Sequence, residues 1–155
     1  VREVFVTPHR RIPDDIKSKA AGFGWLTADY LDLHSDRNVS IAGHSAGMTI
    51  YNIGCAFLGF GSAFTRDQHE TYRVMLFFAG NSKIYHFYSE SGEEFAKAAE
   101  KNDWLRGKSQ PHVHQTNGLI ENKNKIVTMG TVVVLLKARF LACWWNHAAF
   151  SWVRV

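Results

Sequence analysis

Only two cysteines, Cys55 and Cys143, occur in 155 residues. They stand far apart in sequence among apolar neighbours, so buried free thiols are expected rather than a disulfide framework, and the compartment stays open. No apolar run approaches the roughly 20 residues that a membrane helix needs, which excludes a helical span. Val1-Arg2-Glu3-Val4 lacks the charged-then-apolar order of a signal peptide, and an opening residue other than methionine reads as a fragment or a processed chain. There is no internal repeat and no low-complexity tract. Charge is not concentrated either: the net +4 comes with basic residues scattered as Arg10-Arg11, Lys17 and Lys19, Lys123 and Lys125. No aromatic-plus-basic module accompanies them, so no nucleic-acid partner is expected. What is present, 46% hydrophobic and 14% aromatic residues, suits a soluble globular chain. Its length suits one domain over 1–155 with a core that needs no staples.

Strand-like and helix-like segments alternate along the chain. Val4-Phe5-Val6 is a short apolar run stopped by Thr7-Pro8. Pro13-Asp14-Asp15 starts a helical stripe through Ala20, Phe23, Leu26, Tyr30 and Leu33. Val39 to Ala42 reads as a buried strand, Ala46 to Leu58 as a helix closed by Gly59-Phe60-Gly61-Ser62, and Val74 to Ala79 as a second buried strand. Ser91-Gly92-Glu93-Glu94 has the capping-box spacing ahead of a helix ending near Asn102. Gly107 to Asn117 is loop-like, the valine-rich Ile126 to Leu136 reads as a strand, and Ala138 to Val155 has ambiguous periodicity. This order predicts a layered α/β domain with a mostly parallel central sheet and helices on both faces.

One stretch has residue types and spacing that specify a chemistry, Gly43-His44-Ser45-Ala46-Gly47. Gly-x-Ser-x-Gly between a strand and a helix is a nucleophile elbow. Its glycines permit the tight turn, Ser45 is the nucleophile, and the Ala46 N–H at a helix start would stabilise an oxyanion. With its context the motif resembles the α/β-hydrolase superfamily, esterase type: carboxylesterases, hormone-sensitive-lipase-like esterases and arylformamidases. The resemblance covers about residues 4–90. It rests on Val4 to Pro13, Ala21-Gly22-Phe23-Gly24-Trp25-Leu26, Asp36-Arg37-Asn38-Val39, the elbow, and Val74 to Gly80, in that order. It implies an α/β-hydrolase-like fold, truncated here, and hydrolysis of small-molecule carboxylic esters or amides through an acyl-Ser45 intermediate. A His-Gly-Gly motif that such esterases carry upstream does not occur, so half of the oxyanion hole is unassigned.

A catalytic triad requires an imidazole and a carboxylate. His147 and Asp103 fill those roles in the expected chain order, and His44 is a substrate-pocket residue. His112 and His114 are alternative bases. As a His-x-His pair they also suit a metal, with Glu121 the nearest downstream carboxylate, but a pair does not close a coordination shell. No metal and no cofactor are therefore expected. Two other readings stay open: a non-enzymatic α/β-hydrolase-like binding domain, and a cone-shaped α+β ligand-binding or dehydratase-type domain using the His112/His114 region. The oligomeric state is not specified.

Overall fold

The computed structural model describes residues 24–31, 39–89, 92–108 and 118–154. A five-stranded mixed sheet has the order β3-β2-β1-β4-β5. β1 (Trp25–Tyr30), β2 (Ala46–Asn52) and β3 (Phe57–Ala63) form an antiparallel meander; β4 (His86–Ser89) runs parallel to β1, and β5 (Arg106–Lys108) parallel to β4. Helix α1 (Gln68–Ala79) connects β3 to β4, α2 (Glu93–Lys101) connects β4 to β5, and α3 (Gly118–Ala138) and α4 (Trp145–Trp152) follow.

The meander overturns the expected mostly parallel sheet. Ala46 to Leu58 is a strand, a turn and the start of another strand, not a helix. All seven residues of β2 are buried, so its apolar run carries no alternation to reveal it. Its turn is set by Asn52, whose Oδ1 accepts the N–H groups of Gly54 and Cys55, while Ala56 takes a left-handed φ of 57°. β1 likewise replaces the expected helical stripe: Leu26, Ala28 and Tyr30 alternate into one core face. Val39 to Ala42 is not a buried strand, since Val39 and Ile41 are exposed by 44% and 54%.

The converse correction applies at Val74 to Ala79, which lies in α1. Thr71, Val74, Met75 and Ala79 are its buried residues, at helical spacing. Asp67 caps the helix by accepting the Glu70 N–H at 2.9 Å. The valines of 126–136 also lie in a helix, α3, whose buried residues Ile120, Val127, Gly130 and Thr131 again follow the helical period. α2 matches its expected span and ends at Asn102, although Gly92 occupies the N-cap and Ser91 lies outside the described residues. The sheet carries a core on each face. On one, Met48, Ile50, Phe87 and Leu26 meet α1 and α2 through Met75, Phe95 and Ala98. On the other, Leu31 and Phe60 meet Val127 of α3 and Trp145 and Ala149 of α4.

Candidate functional site

Among the described residues no hydrogen bond joins Ser45, His147 and Asp103. Ser45 precedes β2 in the turn that follows Ser40, and its hydroxyl donates to the Phe64 carbonyl. Gly43, with φ +82°, closes that turn through its N–H to the Ser40 carbonyl. The glycine thus serves a turn into a strand, and no strand-to-helix elbow forms. Ala46 is buried opposite Ala63 at the start of β2, so no helix N-terminus lies there to orient its N–H toward an oxyanion. His44 Nδ1 pairs with the Ser62 hydroxyl at 2.8 Å, and its ring meets Phe64 edge-on. Burial lowers the His44 pKa, the nearby Arg73 guanidinium lowers it further, and His147 adds a smaller push. The His147 ring itself packs on Trp144 in α4, and Asp103 sits beyond the C-terminus of α2 with φ 57°. His112 and His114 lie outside the described residues.

A pair of carboxylates does converge. Alternation along β1 sends Leu26, Ala28 and Tyr30 toward α1 and α2, which leaves Asp29 on the face that α3 crosses. Glu121 stands in the first turn of α3. Asp29 and Glu121 line one cleft of about 520 Å³, completed by Tyr30, Leu31, Asn124, Lys125, Thr128 and Met129. Asn124, three residues after Glu121 and so on the same side of the helix, donates from Nδ2 to Asp29 Oδ2 at 2.8 Å and to the Tyr30 carbonyl at 3.4 Å. Asp29 Oδ1 accepts the Tyr30 N–H at 2.8 Å.

Two buried oxygens beside this pair lack hydrogen-bond partners among the described residues, Asn124 Oδ1 and the hydroxyl of Thr49, the β2 residue in register with Asp29. An orphaned buried acceptor is costly unless something else satisfies it. Two carboxylates lining one cleft offer hard oxygen donors, suited to Mg²⁺ or Mn²⁺ rather than to a soft metal. Among the described residues no three His, Cys, Asp or Glu side chains cluster as a metal cage. Mg²⁺ does not require one, because it is commonly held by one or two carboxylates together with substrate phosphates. Exposed Lys125 and the positive end of the α3 dipole favour an anion at the same place.

No protein-family model matches the chain, and no curated protein does. Among solved structures it is similar to the catalytic core domain of BIV integrase, with 10% identity, a TM-score of 0.59, and coverage of 83% of this chain and 82% of that one. That likeness establishes the fold, an RNase H-like one, and corrects the sequence reading. The α/β-hydrolase resemblance and its nucleophile elbow are overturned by the integrase-core arrangement. The expectation of no nucleic-acid partner is overturned too, since the matched fold is that of an integrase core. Sequence reasoning noted Glu121 only beside the His-x-His pair and did not mark Asp29. The available signal was a lone acid inside an otherwise uncharged β run, Leu26-Thr27-Ala28-Asp29-Tyr30.

Proposed function

We propose that the Asp29–Glu121 cleft is the site of divalent-cation-dependent phosphodiester cleavage or transfer on a nucleic acid. The observation that carries this reading is the convergence of two carboxylates from β1 and α3 on one cleft, in a fold shared with an integrase catalytic core. Asp29 and Glu121 would hold the cation, which supplies Lewis acidity at a phosphoryl oxygen. Asn124 orients the Asp29 carboxylate through the bond to Oδ2. Lys125 at the cleft meets the negative backbone of a bound strand. In the sequence Glu90 directly follows Ser89, the residue of β4 that registers with Ala28. Its placement lies outside the described residues, and it is the next carboxylate to test by substitution.

Electron paramagnetic resonance of free Mn²⁺, titrated with protein and a short DNA duplex, tests the cation site. Saturable loss of the free-ion signal is expected for the native chain and at least a tenfold weaker midpoint for Asp29→Asn and Glu121→Gln. An unchanged midpoint in both variants would remove the site from this cleft. No observation favours acyl transfer at Ser45, whose hydroxyl is engaged with the Phe64 carbonyl.

A further inference from the structure

The residue after Asp29 is held from the opposite face of the sheet. Alternation along β1 turns the Tyr30 side chain into the core under α1 and α2, while Tyr30 still lines the cleft beside the carboxylates. Its N–H donates to Asp29 Oδ1 at 2.8 Å. Its carbonyl accepts Asn124 Nδ2 at 3.4 Å, the same amide that donates to Asp29 Oδ2 at 2.8 Å. Both oxygens of the Asp29 carboxylate are therefore oriented by groups that depend on where the Tyr30 backbone sits.

One corner of the fold, where β3 turns into α1, fixes that backbone. The Arg66 guanidinium lies over the Tyr30 ring, 5.3 Å from its centroid, and donates from Nη2 to the Leu31 carbonyl at 2.8 Å. A single planar cation thus holds the side chain of one residue and the backbone of the next, a double contact that the point charge of a lysine does not reproduce. The Thr71 hydroxyl donates to the Asp67 carbonyl at 2.6 Å and so accepts from the Tyr30 hydroxyl, also at 2.6 Å. Tyr30 and Thr71 are buried, whereas Arg66 is exposed and does not line the cleft. We infer that Arg66 is a positioning residue for the Asp29 carboxylate, acting through Tyr30 and Leu31 from the face opposite the cleft. The inference rests on the cation-site reading above and adds to it the group that sets the geometry the cation meets. Its sign separates it from a charge effect: a cation acting by charge alone repels Mn²⁺, so its deletion would tighten binding. Deleting a cation that orients the ligand weakens binding.

Two measurements on the same variants test this assignment: Mn²⁺ titration by electron paramagnetic resonance, and amide hydrogen exchange at Tyr30 in the metal-free chain. Arg66→Ala is expected to weaken the Mn²⁺ midpoint about threefold to tenfold and to speed Tyr30 exchange about tenfold, as the bond to Asp29 Oδ1 loosens. Arg66→Lys, which keeps the charge and loses the planar fork, is expected to fall between Arg66→Ala and the native chain in both. Arg73→Ala is the control, because that guanidinium bonds Glu70 and the Ser62 carbonyl rather than β1, and it is expected to match the native chain. An unchanged or tighter Mn²⁺ midpoint in Arg66→Ala overturns the proposal, and so does Tyr30 exchange equal to that of the native chain. Equal losses in Arg73→Ala would trace the effect to general loosening and overturn it as well. A native chain with no saturable Mn²⁺ binding would instead remove the cation reading, and exchange at Tyr30 then decides by itself whether Arg66 positions Asp29.

Discussion

Asn124 is the residue on which the geometry of the carboxylate pair turns. Its amide bridges α3 to Asp29 Oδ2 and the Tyr30 carbonyl, so truncating it removes a charge-assisted hydrogen bond in a half-buried setting. Asn124→Ala is expected to weaken Mn²⁺ binding about threefold to tenfold, while Asn124→Asp crowds a second carboxylate against Asp29 and lowers thermal stability without added metal. Calorimetric titration and melting in the absence and presence of Mn²⁺ separate the two effects. Histidines make a different residue-scale prediction. His44 is shifted down chiefly by burial and then by Arg73, and His86 by burial, so the fold favours their neutral forms. Below an ordinary imidazole pKa near 6.5 the unfolded chain therefore binds more protons than the folded one, and stability rises with pH through that window. The melting temperature is expected to fall as pH drops from 7 toward 5, with a shallower fall in His44→Asn. Equal slopes in native and variant chains would contradict the assignment of His44.

At the scale of elements, close packing explains why small residues sit where they do. Gly61 of β3 lies against Val74 of α1, and a Cβ at that position would overlap Val74 Cγ1. Val74 is 4% exposed and β-branched, so it has little room to yield. Gly61→Ala is expected to destabilise the fold by about 1–3 kcal/mol, read as a lower urea midpoint with an unchanged m value. The same packing made this part of the chain hard to read in advance. The Gly59-Phe60-Gly61 run looks like a helix terminator but belongs to a strand pressed against α1. The uncharged stretches of a buried strand such as β2 and of a valine-rich helix such as α3 look alike in composition, and composition alone does not separate them. α2 was legible because caps and charges mark its ends: Glu93 and Glu94 at its start, Lys101 and Asn102 at its close. Glu121 was noted only as the carboxylate nearest the His-x-His pair, not as part of this cleft. Asp29 was not noted, because a strand carrying one acid toward a helix some 90 residues later has no local spacing signature.

For the whole molecule, the two cores pin the sheet between α1 and α2 on one face and α3 and α4 on the other. That layering brings β1 and the start of α3 together and leaves the cleft between them open. Lys125 lies in the cleft itself, and beyond Glu121 the chain carries only basic ionised side chains. Such an arrangement raises local phosphate concentration and makes binding salt-dependent. The central claim is that this cleft acts on phosphodiesters, and the most direct measurement is processing of an end-labelled DNA duplex with Mg²⁺ or Mn²⁺. Cation-dependent nicking or strand joining that falls at least a hundredfold in Asp29→Asn and in Glu121→Gln, each folded by circular dichroism, is the predicted result. Processing that persists in both variants, or that needs no divalent cation, would contradict it.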